Sequence, residues 1–339
     1  MRLRMTETMQ EGKKPDGLGR REVLLGGLAT LATCCWGAGG GKAHDDDLIL
    51  LLSDCHVAAG GGEAAFPYRR LKRCVDAALA LDPLPTRAFV LGDIAGSVGP
   101  REDYEMSARQ FVRLEEAGIA VSYAMGNHDR RAGFLAVHPE CAAKSPIKGR
   151  LVRKIELPAC DFLFLDSLIG EDGSPKIVVA GAIDAEQSAW LEREVSGVGK
   201  PVIVCAHHAP HELKFANGDT LERRLPYFPR VRGYIHGHVH RWSSKWCRRA
   251  DENPRFMRVM SLPATGNWGD LGYALMRIEG MKVRVRLFQD DYRHSKPLKG
   301  GVPPPEWTSV VEDNRNAVCT FDLAGPMDEK AGMTGKERR

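Results

Sequence analysis

Residues 48–56 read LILLLSDCH, and this stretch decides how the rest of the chain is interpreted. A short unbroken run of aliphatic residues is typical of a strand that is buried on both faces. The run stops at Asp54 and His56, two side chains of the kind that bind metals. We therefore predict a buried strand over 48–53 that ends in a polar site.

Two further apolar runs of the same kind follow in the first half of the chain. The run at 88–91 ends at Gly92-Asp93, and the run at 119–125 ends at Gly126-Asn127-His128-Asp129. Apolar residues at helical spacing over 66–81 and 101–117 separate these runs. Strands that alternate with helices predict parallel βαβ units.

The second half of the chain is richer in strand than in helix. One helix is predicted over 184–195, with Asp184 as its N-cap. The predominance of strands in the last hundred residues suggests a second sheet. The predicted strands lie at 162–165, 201–206, 231–235, 256–262, 273–278 and 283–287.

Polar side chains occur at five of these strand ends, which is where parallel sheets bind ligands. Extended backbone turns side chains at i and i+2 to the same side, so Asp54 can join His56, and His238 can join His240. The adjacent His207 and His208 point in different directions, so at most one of them should enter a given metal centre.

Each of these motifs alone is also compatible with a purely structural role, such as a strand-end turn, a helix cap or a solvent-facing histidine. Together they offer carboxylates, an amide oxygen and imidazoles, a mixture that suits borderline divalent metals. Seven such side chains are too many for one tetrahedral zinc but suit two metals that share a carboxylate. Two closely spaced metals are an arrangement that serves phosphoester hydrolysis.

The ordered motifs DxH, GD, GNHD, HH and GHxH resemble the calcineurin-like metallophosphoesterase superfamily over roughly residues 47–290. Looser similarities at 68–71 and 187–191 resemble its cyclic-nucleotide phosphodiesterase-like branch. The resemblance implies an α/β fold in which two mixed β-sheets pack as a sandwich and are flanked by helices.

The resemblance also implies roles for individual residues. One metal would be held by Asp54, His56, Asp93 and His240. The other would be held by Asp93, Asn127, His207 and His238, so that Asp93 bridges the two. His128 would donate to the phosphate or to the leaving oxygen, and Asp129 would orient His128.

The implied reaction is attack on phosphorus by a hydroxide that bridges two divalent metals, of which Mn, Fe or Zn are expected. The substrate would be a small phosphodiester such as a cyclic nucleotide or a glycerophosphodiester. A broad phosphomonoesterase and a non-catalytic metal-binding scaffold are the alternatives. Loop residues would select the substrate, and the candidates are Tyr104, Arg130, His211, Arg241 and Trp268.

Residues 20–33, RREVLLGGLATLAT, resemble a twin-arginine export signal behind a basic leader. The apolar run is too short to cross a bilayer. We predict export to a bacterial periplasm through the twin-arginine machinery, with a cytoplasmic protein as the alternative; Cys34 also hints at lipidation. The predicted divisions are a signal and leader at 1–43, a catalytic domain at 44–295 and a polar tail at 296–339.

Charge and cysteine content exclude other classes of protein. Among 339 residues, 48 Lys and Arg oppose 44 Asp and Glu, and the first 43 residues hold seven of the former and four of the latter. The rest is almost neutral, which argues against a nucleic-acid tract. The nine cysteines show no CxxC pair, so neither a zinc ribbon nor a disulfide scaffold is indicated.

Overall fold

The computed structural model describes residues 42–170, 172–248, 256–294 and 314–324. The predicted twin-arginine segment, with Cys34, and most of the predicted tail lie outside these ranges. Across the described ranges, every helix is too short or too polar to cross a lipid bilayer.

Twelve strands and six α-helices make up the described chain. The strands are β1 (His44–Leu52), β2 (Leu84–Leu91), β3 (Ala120–Ala124), β4 (Arg153–Glu156), β5 (Asp161–Phe164), β6 (Val202–Cys205), β7 (Val231–His236), β8 (Ser243–Arg248), β9 (Phe256–Ser261), β10 (Gly269–Glu279), β11 (Lys282–Arg293) and β12 (Val318–Asp322). The helices are α1 (Phe66–Leu79), α2 (Arg101–Glu116), α3 (Arg131–Leu135), α4 (Glu140–Ala143), α5 (Ala185–Val195) and α6 (Leu221–Arg224). Short 3₁₀ helices lie at Ala59–Gly61 and Leu225–Tyr227.

The strands form two six-stranded mixed sheets. The first has the order β12-β11-β10-β1-β2-β3, and its β1, β2 and β3 are parallel. The second has the order β4-β5-β6-β7-β9-β8, and β5, β6, β7 and β9 are parallel. The predicted fold class, two mixed sheets with flanking helices, is confirmed.

The predicted second sheet is present, but the strands of the last hundred residues are divided between both sheets. Strand β10 pairs antiparallel with β1, with Leu48 opposite Arg277, and so covers the edge of β1 that β2 leaves open. Only β8 and β9 of the late strands join the second sheet. Strand β12, beyond residue 295, pairs with β11 and extends the first sheet.

Alternate residues of β1 serve two different layers. Leu48, Leu50 and Leu52 belong to the core beneath α1 and α2, whereas Ile49 and Leu51 belong to the core between the sheets. In that inner core the ring of Phe89 lies 5.0 Å from those of Phe162 and Phe164. A third core packs α5 on the outer face of the second sheet. This layering leaves the carboxyl ends of the parallel strands of both sheets free to form a site.

The predicted N-cap of α5 is present, since the Asp184 carboxylate accepts a hydrogen bond from Gln187 N at 2.8 Å. A side-chain oxygen at this position satisfies one of the backbone N–H groups that a helix leaves unpaired.

Candidate metal centre

The predicted metal ligands lie at the carboxyl ends of parallel strands from both sheets. Asp54, Asp93 and Asn127 follow β1, β2 and β3 of the first sheet, and His207 and His238 follow β6 and β7 of the second. All seven predicted ligands come together in one region. Six of them are buried, and the His238 side chain is 13% exposed.

The first cluster consists of Asp54, His56, Asp93 and His240, whose candidate ligand atoms all lie within 4.8 Å of one another. His240 Nε2 is 3.1 Å from Asp54 Oδ1 and 3.0 Å from His56 Nε2. The Nδ1 atom of His240 donates to the carbonyl of Trp268 at 2.9 Å, which turns Nε2 toward the cluster. This set matches the predicted ligands of one metal.

The second cluster gathers around His207. Its Nδ1 donates to the carbonyl of Leu91 at 2.8 Å, and its Nε2 lies 3.1 Å from Asn127 Oδ1. The ring of His238 is 5.1 Å from that of His207, centroid to centroid. These residues are the predicted ligands of the other metal.

Asp93 joins the two clusters. Its Oδ2 lies 3.6 Å from His56 Nε2 on one side and 3.3 Å from His207 Nε2 on the other. Its Oδ1 accepts a hydrogen bond from His128 N at 2.8 Å, which fixes the carboxylate. A carboxylate in this position can bridge two cations.

The backbone at the ligands is left-handed rather than extended, so the reason given for the i, i+2 pairing was wrong. Residues Asp54, His56, Asp93, His238 and His240 have φ between 48° and 71°. This region is costly for residues other than glycine, and such strain clusters at functional sites. The paired side chains meet because the chain turns sharply after each strand, not because the strand continues.

Two glycines allow the close approach of these turns. A Cβ on Gly92, whose φ is 84°, would lie 2.7 Å from His207 Nδ1. A Cβ on Gly126 would collide with the Asp93 carboxylate. Glycine is therefore required at both positions if Asp93 is to lie between the two sheets.

The site concentrates buried charge. Burial raises the pKa of Asp93, but the charge and hydrogen bond of His207, together with the charge of His56, leave that pKa well below its ordinary value. Burial lowers the pKa of His207, but the carboxylates of Asp93 and Asp54 together raise it to about 10. Burial lowers the pKa of His56 to about 4. Ionised carboxylates beside a neutral imidazole are a donor set that suits a divalent cation.

His128 and Asp129 lie at the same edge but are not paired as expected. His128 is partly exposed, and its ring centroid is 4.7 Å from that of His56. Its buried Nδ1 has no hydrogen-bond partner among the residues that the structure describes. The Asp129 carboxylate instead accepts from four other donors. These are the backbone N–H groups of Ile94, Ala95 and Gly126 and the hydroxyl of Tyr104. Asp129 thus ties the loops after β2 and β3 together and does not orient the His128 ring directly.

His208 lies beside His207 and His238 but is hydrogen-bonded through both of its ring nitrogens. Its Nε2 donates to the carbonyl of Val179 at 3.0 Å, and its Nδ1 accepts from the Ser167 hydroxyl at 2.7 Å. One of its nitrogens lies within 4.8 Å of those of His207 and His238, but both are already hydrogen-bonded. Burial lowers the pKa of His208 to about 2, so the ring is neutral. His208 therefore stabilises the loop that contains Val179 and does not bind a metal.

That loop spans positions 168–181, of which 168–170 and 172–181 are described, and the hydrogen bond from Ala182 N to Ser167 O closes its base. The buried Arg130 donates to the carbonyls of Ser174 and Lys176 in the loop and to those of Asn127 and Asp129 beside the metal ligands. Arg130 therefore fastens the loop to the site. Arg130 and Tyr104, which were candidates for substrate selection, are both buried and are hydrogen-bonded within the protein.

The sequence analysis missed Glu212. Its Oε1 lies 3.6 Å from His238 Nε2, and its Oε2 accepts from Ala209 N at 2.8 Å. A carboxylate against one nitrogen of an imidazole fixes the ring and leaves the other nitrogen for a metal. The sequence offered one signal, the position of Glu212 five residues after His207.

Comparison with known proteins agrees with the geometry. The calcineurin-like phosphoesterase family matches residues 48–242. A curated protein from Synechococcus sp. (strain WH7803) named "Probable cyclic nucleotide phosphodiesterase" is 28% identical over 130 residues. That alignment covers 32% of this chain and 49% of the relative, so the chain spans about half of the relative's length.

Two solved structures share the fold. A dimetal phosphatase from Danio rerio superposes with a TM-score of 0.55 at 16% identity, over 72% of this chain and 96% of that one. A purple acid phosphatase from yellow lupin (Lupinus luteus) gives 0.54 at 12% identity, over 83% and 54%. The family match covers more than half of the chain, and the predicted enzyme class, a phosphoesterase, is confirmed with it. This protein belongs to the calcineurin-like phosphoesterase family.

Proposed function

We propose that the protein is a dinuclear metal-dependent hydrolase of small phosphodiesters, with Mn, Fe or Zn as the metals. The observation that carries the proposal is the position of Asp93, whose Oδ2 faces a histidine of each cluster at 3.6 and 3.3 Å. Asp54, His56 and His240 would hold one cation with Asp93, and Asn127, His207 and His238 would hold the other. When bound, two such cations supply ionised water near neutral pH and offset the charge of the phosphate.

The protein itself contributes the positions of the ligands. Left-handed turns hold five of the ligands, and the buried carboxylates are hydrogen-bonded before any substrate arrives. Ser53 Oγ and His238 N both donate to the Asp54 carboxylate, at 2.6 Å and 3.1 Å. Ligands that are already in place need not reorganise during the reaction. The partly exposed ring of His128, beside His56, would donate a proton to the phosphate or to the leaving oxygen.

The preference for diesters over monoesters is supported by the printed name of the Synechococcus relative and by the loose motif similarity to the cyclic-nucleotide branch. The test is elemental analysis together with an assay of the same sample on bis-p-nitrophenyl phosphate and p-nitrophenyl phosphate. Two metals per chain and chelator-sensitive turnover that favours the diester would support the proposal. Faster hydrolysis of the monoester would identify a phosphomonoesterase, and two metals without turnover would favour a binding scaffold.

We also propose that the chain is exported to the periplasm by the twin-arginine machinery. Support comes from Arg20 and Arg21 and the short apolar run that follows them. Replacing both arginines by lysine keeps the charge and should retain the protein in the cytoplasm of a bacterial host. Continued appearance of the double variant in the periplasmic fraction would contradict the proposal.

A further inference from the structure

Trp268 lies directly beside the first metal cluster. Its ring centroid is 4.2 Å from that of His240, with the ring planes tilted by 33°. His240 in turn lies within 3.1 Å of both His56 and Asp54, measured between side-chain atoms. The indole is therefore next to the atoms that would hold a metal.

The backbone around Trp268 is tied to the same ligands. The Trp268 carbonyl accepts from His240 Nδ1, and Asp270 N donates to the carbonyl of His240 at 2.9 Å. Earlier in this loop, Thr265 N donates to Ser53 O and Gly266 N donates to Asp54 O. The ring is thus held in a fixed position relative to the site, and a fixed surface loses little entropy when it binds a ligand.

Trp268 differs from the other tryptophans that the structure describes. Trp190 is buried in the core under α5, and Trp242 and Trp246 pack against the core between the sheets. Trp268 is 37% exposed although its ring lies against His240. A large ring that is fixed, half-exposed and adjacent to a catalytic centre is a stacking surface for a planar group.

We propose that Trp268 is a specificity-determining residue that stacks on a planar aromatic group of the substrate, either an aryl ester or a nucleobase. The inference rests on the proposed function, because it places the phosphate at the metal centre and the aromatic group on the indole. Stacking of an aromatic base on an aromatic side chain changes affinity by about tenfold or more. The proposed class of substrate is thereby narrowed from any small phosphodiester to a phosphodiester that carries a planar aromatic ring.

Binding of phosphonates tests the inference without turnover. Calorimetry on the metal-loaded protein would compare phenylphosphonate, cyclohexylphosphonate and methylphosphonate. We expect phenylphosphonate to bind about tenfold more tightly than methylphosphonate in the wild type. This ratio of affinities should fall toward one in Trp268→Ala and should be largely kept in Trp268→Phe. Tyr227→Ala is the control, since Tyr227 is 41% exposed and precedes β7, at the end opposite His238.

Trp268→Ala could also weaken metal binding, because Trp268 contacts His240. Weaker metal binding would lower the affinity for all three phosphonates alike, so the ratio of two affinities measured on the same variant reports stacking alone. An unchanged phenyl-to-methyl ratio in Trp268→Ala would overturn the inference. Equal affinity for the cyclohexyl and phenyl compounds would also overturn it, since a non-planar ring cannot stack.

Turnover distinguishes this inference from the proposed function. Phenyl p-nitrophenyl phosphate and methyl p-nitrophenyl phosphate share a leaving group and differ only in the second ester. Hydrolysis of both without preference for the aryl ester would support the function and contradict the role of Trp268. Hydrolysis of neither, with the phosphonate ratios as expected, would contradict the function and support the stacking surface.

Discussion

The Nε2 atoms of His56 and His240 lie 3.0 Å apart, although each ring comes from a different sheet. Nδ1 of His240 donates to a carbonyl, so its Nε2 is an acceptor when the ring is neutral, and Asp54 Oδ1 lies 3.1 Å away. His240 Nε2 and Asp54 Oδ1 would then both be acceptors, and they repel each other at this distance unless a proton or a cation lies between them. A bound metal ion would offset that repulsion. The stability of the folded protein should therefore increase when metal is bound.

We expect Mn²⁺ or Zn²⁺ to raise the melting temperature and a chelator to lower it. At a metal concentration 100 times the dissociation constant, binding contributes about 2.7 kcal/mol, which is about 5–10 °C for a domain of this size. Differential scanning fluorimetry would measure the shift. His240→Ala should lose a large part of it, whereas His44→Ala, at the other end of β1, should keep it. An equal shift in His240→Ala and in the wild type would contradict the placement of this metal.

Asp93→Asn should reduce the content of both metals. The substitution keeps the shape of the side chain but removes the charge that faces His56 and His207. We expect fewer than two metals per chain by elemental analysis and loss of phosphodiester hydrolysis. Asp47→Asn, on the exposed amino-terminal part of β1, is the control and should keep two metals. Normal turnover of a metal-verified Asp93→Asn protein would contradict the bridging role.

Much of this site could be predicted from sequence because polar residues follow the apolar runs with which the strands end, as Asp54 follows the run 48–52 of β1. The rest depends on contacts between distant parts of the chain. Glu212 lies near His238 although 26 positions separate them in sequence. Strand β12 pairs with β11 although it lies within the stretch that was predicted as a polar tail. The left-handed turns escaped prediction because aspartate and histidine adopt them only when the surrounding fold compensates for the strain.

His128→Ala should retain both metals and lose rate. The ring of His128 is partly exposed and lies beside that of His56, at the edge where the substrate phosphate would bind. Removal of a positioned proton donor lowers kcat by about 10²- to 10⁴-fold. The measurements are kcat on bis-p-nitrophenyl phosphate and metal content of the same sample. Loss of metal in proportion to loss of rate would identify His128 as a ligand or a structural residue instead.

Glu212→Gln should weaken the second metal without removing the first. The Glu212 carboxylate lies 3.6 Å from His238 Nε2, and loss of a carboxylate that supports a metal-binding histidine lowers metal affinity by about 10- to 100-fold. Competition with a chromogenic chelator would report the two affinities separately. Glu222→Gln is a matched control, because its side chain is equally exposed, at 28%, and pairs with Lys245 away from the cluster. Unchanged affinities in Glu212→Gln would show that backbone contacts alone orient His238.

Arg130→Met should release the 168–181 loop while leaving the strands intact. The substitution keeps most of the volume but removes the donors to the carbonyls of Ser174, Lys176, Asn127 and Asp129. Loss of these hydrogen bonds, two of which are buried, should lower the free energy of unfolding by about 2–4 kcal/mol in total. Limited proteolysis should then cut the loop in the variant and spare it in the wild type.

Arg101→Met is the control for that experiment. Arg101 forms an exposed pair with Glu105 one turn along α2, and such pairs contribute less than about 0.5 kcal/mol. Arg130 donates to carbonyls of the loop and also to those of Asn127 and Asp129, beside the metal ligands, so its loss should also weaken metal binding. Loss of Arg101 should leave metal binding unchanged. A variant that is cut in the loop but binds both metals as tightly as the wild type would show that the loop and the centre are held independently.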